Sequence, residues 1–137
     1  MFDPIESLLP HRAPLRFIDA LTACTDTSAS ATVRFSAGHF AVADGTVLAA
    51  ALVECVAQTA AAALGQRAKN CGAAGGAANL GMLVAVTDFQ IHSRAPVEKP
   101  LTIAIRDLKR LGPLLLIAGQ ISCDDQVIAA GVLTLYA

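Results

Sequence analysis

Glu54 and Gln58 are four residues apart in AALVECVAQTAAAAL, a stretch that is otherwise almost wholly apolar. A helix turns once in about 3.6 residues, so the two side chains stack on one helix face, with Ala50, Ala51, Ala61 and Ala62 as small neighbours. A carboxylate taken out of water needs a partner, because desolvation disfavours its charged form. His39 precedes this stretch by a short loop. A carboxylate and an imidazole facing one small cavity are the parts of a proton-transfer site. The first backbone N–H groups of such a helix, around Ala49 and Ala50, lack intrahelical acceptors and are suited to holding a developing oxyanion. The same residues also have plainer roles. A helix Glu commonly faces solvent or pairs with an Arg, a Gln bonds structurally, and a histidine next to Gly38 serves in a loop or cap.

The elements that would position these groups follow from pattern. Ala and Leu dominate from about Thr46 to about Gln66, which predicts one long helix, with Asp44 or Thr46 as its cap. Because it is apolar nearly all round, that helix must be enclosed on most sides. Upstream, DPIESLLPHR predicts one or two helical turns, capped at Asp3 and stopped at Pro10, and LRFIDALTACTD and ASATVRFSA predict a hairpin. AKNCGAAGGAAN, residues 68–79, is too rich in glycine for anything but a loop. Four strand-like runs follow, broken at Pro96, at Gly112 with Pro113, and at Asp124 with Asp125. One long helix and about six strands joined by short links give an α+β fold, a curved antiparallel sheet wrapped around the helix. A helix this apolar also predicts an oligomer built from symmetric dimers.

Composition narrows the function classes. With 137 residues, 55% of them apolar, the chain is expected to form a single domain over 1–137. Its net charge of −1 gives no general pull toward nucleic acid or an anionic membrane. Glu54 and Gln58 fall near the middle of the helix, which argues against its spanning a bilayer. MFDPIESLLPHRAPLRF carries acids and prolines where a secretory signal has a basic start and an apolar run, so a cytoplasmic location is expected. Cys24, Cys55, Cys71 and Cys123 show no close pairs and are read as buried, reduced thiols. With His11, His39 and His92 equally scattered, no metal site is expected.

Three blocks carry a resemblance. LLPHRAPLRFID, residues 8–19, is similar to the opening signature of the hotdog-fold 3-hydroxyacyl-[acyl carrier protein] dehydratases. GHF leading to DGTVLAAALVECVAQTAAA resembles their histidine, loop and central helix, in which an acid is followed four residues later by glutamine. LGMLVAVTDFQIHSRAPVEK resembles the strand that comes next. The likeness is nearest to the branch associated with aryl-polyene and related polyketide-like gene clusters. There the loop after the histidine usually carries a proline and then a Pro-x-Trp element, whereas HFAVADGTVLAAA has neither proline nor tryptophan.

The resemblance implies a hotdog fold and dehydration of a 3-hydroxyacyl thioester to the trans-2-enoyl product without a cofactor. It places the catalytic base on His39, the catalytic acid on Glu54, and substrate contacts on Gln58 and on the Ala49 and Ala50 N–H groups. The histidine of one subunit is expected to face the acid of another in a homodimer or a higher oligomer of dimers. The partner it implies is an acyl carrier protein with a bound acyl thioester, docked by basic residues among Arg67, Lys69, Arg94, Lys99, Lys109 and Arg110. An acyl thioesterase and a catalytically inactive partner subunit are the alternative readings.

Overall fold

The computed structural model of the chain describes residues 2–72 and 82–136. A single helical turn, α1 (Ile5–Leu8), is followed by a hairpin of β1 (Ala20–Cys24) and β2 (Ser28–Val33). A small ribbon, β3 (Val42–Ala43) and β4 (Thr46–Val47), leads into the long helix α2 (Ala49–Asn70). Four long strands complete the order: β5 (Met82–Ile91), β6 (Leu101–Leu111), β7 (Leu114–Cys123) and β8 (Gln126–Tyr136). Six strands form one antiparallel sheet in the order β1-β2-β6-β7-β8-β5, and α2 packs across it. This is the expected α+β arrangement.

Alternation explains which sheet face holds the helix. Leu101, Ile103 and Ile105 of β6, Leu115, Ile117 and Ile121 of β7, and Leu133 and Leu135 of β8 are buried in one core with Leu52, Cys55, Val56 and Ala60 of α2. Small residues let the two layers approach closely. A Cβ on Gly119 of β7 would lie 2.4 Å from Cγ1 of Val56, so only glycine fits beneath the helix there.

Three local expectations need correction. Asp44 and Gly45 both have positive φ, 52° and 70°, and form the two-residue turn joining β3 to β4. Asp44 therefore does not cap α2. Thr46 sits in β4, where its hydroxyl accepts a hydrogen bond from Arg94 Nε at 2.8 Å, and the N-cap is Leu48, which offers no side-chain bond. The helix runs on to Asn70, so residues 68–70 are helical, and 73–79 of the expected loop lie outside the described residues. Arg67 and Lys69 in its last turn complement the helix dipole, and the Gly72 N–H, at φ 81°, closes the end on Lys69 O. Asp3 likewise does not cap α1; its carboxylate lies 3.4 Å from Lys69 and its N–H donates to Gln66 Oε1.

The sheet ends at β1 on one side and at β5 on the other; among the described residues β5 pairs only with β8, and its Met82, Leu83, Val84 and Val86 are exposed. We expect Gly119→Ala to destabilise the fold by roughly 1–3 kcal/mol through overpacking against Val56, and Val56→Ala in the same chain to recover much of the loss. Chemical denaturation of the single and double variants measures both.

Candidate functional site

Gln58 is 1% exposed, and its amide is fully engaged within the chain. Its Nε2 donates to Leu15 O at 2.8 Å and to Glu54 Oε1 at 3.3 Å, and its Oε1 accepts from the N–H groups of Phe17 at 2.9 Å and Ile18 at 3.4 Å. Both hydrogens of this amide are thus used within the chain, where the sequence reading expects a substrate contact. Gln58 instead docks the segment 15–18 onto α2. Arg12 folds the turn just before it, donating to Leu9 O at 2.7 Å and His11 O at 2.9 Å.

The docked segment brings in a residue that the sequence reading did not place at the site. His11 Nε2 lies 3.4 Å from Glu54 Oε1. Two nitrogen-bearing side chains therefore converge on one carboxylate oxygen, Oε1. The opposite ring nitrogen, His11 Nδ1, is buried and has no hydrogen-bond partner among the described residues. His11, Glu54, Ala57, Gln58 and Ala61 share a cavity of ≈ 350 Å³ with Leu135 and with Met82 and Leu83 of the edge strand. The signal in the sequence was a histidine between Pro10 and Pro14, far from Glu54 along the chain.

His39 occupies different surroundings. Its ring stacks on Phe40 with centroids 4.7 Å apart and meets Phe35 and Phe17 edge-on at 5.1 and 5.5 Å. Its Nδ1 accepts a hydrogen bond from the Ala41 N–H at 3.0 Å. Phe17 and Phe40 also wall a cavity of ≈ 190 Å³ with Ala41, Leu48, Ala50 and Ala51. At that end α2 begins: Ala51 and Leu52 donate to Leu48 O, and the Ala49 and Ala50 N–H groups have no acceptor among the described residues. A third cavity, ≈ 590 Å³, reaches Ala49 from the side of Arg94, His92 and Asp44. Within one chain, then, the helix start lies beside two of the rings that hold His39, whereas Glu54 lines the cavity next to His11, and His39 does not line it.

The remaining candidates are placed as follows. Arg67 pairs with Asp107 at 3.2 Å, Lys69 with Asp3 and Lys99 with Asp124 at 3.4 Å each, and Arg94 holds the β3–β4 turn through Asp44 O at 2.9 Å. All four cysteines are free thiols, but they are not all buried: Cys55 is, Cys24 and Cys123 are half-buried and Cys71 is exposed. Burial pushes the Cys55 thiol far above its ordinary range, with the charges of Glu54 and Asp19 adding to the effect, so this neighbour of Glu54 is no nucleophile. Among the described residues no group of three or more His, Cys, Asp and Glu is placed to hold a metal ion, and no helix is long and apolar enough to cross a membrane.

The family model of ApeP-like proteins, described as ApeP dehydratase, matches residues 3–137. The chain belongs to the ApeP-like dehydratase family. Among solved structures, the ApeI:P dehydratase heterocomplex from Xenorhabdus doucetiae superposes with a TM-score of 0.88 at 23% identity, covering 99% of this chain and 91% of that one. Thioesterase superfamily member 2 from zebra fish superposes with a TM-score of 0.66 at 14% identity, covering 88% of this chain and 81% of that one. These likenesses establish the hotdog fold. A search of curated proteins finds no match.

The bonds of Gln58 give a stability prediction. Gln58→Leu leaves the Leu15 carbonyl and the Phe17 N–H without their partner, and we expect a loss of roughly 1–3 kcal/mol for each buried group left unpaired. Denaturant titration checks the loss, and faster amide exchange confined to residues 11–18 checks its location.

Proposed function

We propose that this ApeP-like dehydratase removes water from a 3-hydroxyacyl thioester carried by an acyl carrier protein, in a site that two chains complete together. The observation that carries this reading is the Glu54 cavity. One carboxylate oxygen is held by Gln58 and faced by His11, the other is left to handle a proton, and the cavity is bordered by exposed apolar residues of an edge strand. An exposed apolar edge is a template for pairing, and a second copy bringing its own β5 alongside would continue the sheet and cover Met82, Leu83, Val84 and Val86.

In that assembly His39 of one chain is the counterpart of Glu54 in the other, and the pair handles the proton and the departing hydroxyl. The free N–H groups of Ala49 and Ala50 receive the thioester oxygen as negative charge develops on it. Arg94, beside the cavity at the helix start, is the basic residue best placed to meet an acidic carrier. Arg67, Lys69 and Lys99 are paired with carboxylates of the same chain and are weaker candidates.

Complementation tests the shared site. His39→Ala and Glu54→Ala should each lower hydration of an enoyl thioester by about 100-fold or more. Unfolding and refolding the two variants together should restore a substantial fraction of wild-type activity, because mixed dimers contain one intact site. Two inactive variants whose mixture stays inactive would rule out a site shared in this way, and thiol release in place of a changed enoyl absorbance would identify hydrolysis. Separately, Val84→Arg should shift the protein to the monomer mass by light scattering, with activity lost in parallel.

A further inference from the structure

We propose that the backbone amide of Ala41 fixes His39 in the tautomer that carries its proton on Nε2, so that His39 acts as a hydrogen-bond donor to the substrate and Glu54 is the base; the role assignment rests on the dehydratase reading above. The Ala41 N–H points at Nδ1 from 3.0 Å. A neutral imidazole has one N–H and one bare nitrogen, and the partner of one nitrogen determines where the proton sits. With Nδ1 accepting, the proton is on Nε2, and no lone pair remains to take a proton from carbon. A proton on Nδ1 would face the Ala41 N–H, donor against donor.

Turning the ring over does not escape this constraint. A half-turn about the Cβ–Cγ bond would replace Nδ1 by a C–H and orphan the Ala41 N–H, whose one acceptor among the described residues is His39 and whose residue is 4% exposed. Phe17, Phe35 and Phe40 hold the ring in place from three sides. The constraint also depends on a residue choice in this chain. A proline at position 41 would have no N–H to offer, and the segment after His39 contains no proline.

Glu54 has the complementary arrangement. Its Oε1 faces two nitrogens, and Oε2 is left to act. As a carboxylate, Glu54 takes the proton from the carbon next to the thioester carbonyl. The electron pair of that C–H bond becomes the second bond of the alkene, the bond from the neighbouring carbon to its hydroxyl breaks, and Glu54 returns the same proton to the hydroxyl, which leaves as water. The carboxylate is restored and no other reactant is consumed. His39 donates Nε2–H to the hydroxyl oxygen and orients it toward Glu54. This reverses the roles expected from the sequence resemblance.

The test reads the tautomer directly. In the assembled protein labelled with 15N-histidine, the His39 ring should show a protonated Nε2 and a bare Nδ1 at neutral pH, and Ala41→Pro should lower the Nε2–H fraction. A ring protonated on Nδ1 in the wild type, or an unchanged spectrum in Ala41→Pro, would overturn the proposal. Donor rescue is the second arm. Glutamine places an N–H near the position of Nε2 but cannot serve as a base, so His39→Gln should stay within about tenfold of wild-type turnover while His39→Ala and Glu54→Gln fall by about 100-fold or more. Equal losses in His39→Gln and His39→Ala would make His39 a base and overturn the assignment. A wild type that dehydrates no 3-hydroxyacyl thioester would refute the functional reading alone, and the imidazole spectrum would still decide the tautomer.

Discussion

A buried amide on α2 must satisfy the backbone of a segment far from it in sequence, and much of the Glu54 site depends on this. Gln58 sits in the core side of the helix, where an unpaired amide would be costly, and it meets that constraint with the Leu15 carbonyl and the Phe17 and Ile18 N–H groups. The consequences spread from there. Residues 15–18 are fixed against the helix, His11 arrives beside Glu54, and Phe17 takes its place between the Gln58 bond and the His39 ring cluster. One side chain thus ties together the two halves of the candidate site.

The same packing leaves the Glu54 cavity beside an exposed edge of the sheet. α2 is covered by β6, β7 and β8 on one side and by the N-terminal segment on another, and the Glu54 cavity opens between them toward β5. β5 has a neighbour on only one edge, and its apolar residues are exposed. Along α2 itself only Ala49, Ala50 and Asn70 are exposed, so the uncovered apolar surface lies on β5 rather than on the helix.

The architecture was legible in the sequence because it rests on repeating patterns: the alanine-rich run of α2, the alternation in LTIAIRDLK, and the breaks at Gly112–Pro113 and Asp124–Asp125. Local detail was less so. Asp44 was read as a cap because it precedes a helical pattern, yet Asp44–Gly45 is also a hairpin-turn signal, and the turn prevailed since both residues can take positive φ. Glu54 and Gln58 were found as a pair by helical spacing, but the partner of Glu54 was not, since no periodicity links His11 to α2. His39 stands out by its place just ahead of the helical run and by resemblance, while its bond to Ala41 depends on a loop conformation that composition does not encode.

The central claim is that His39 and Glu54, apart within one chain, meet between two. A crystal structure of the assembled protein with a non-reactive 3-hydroxyacyl thioester analogue tests it most directly. The account predicts His39 Nε2 of one chain and Glu54 Oε2 of its partner on opposite sides of the bound hydroxyl, in a single enclosed cavity. An assembly in which the two side chains line separate cavities at every interface would contradict it.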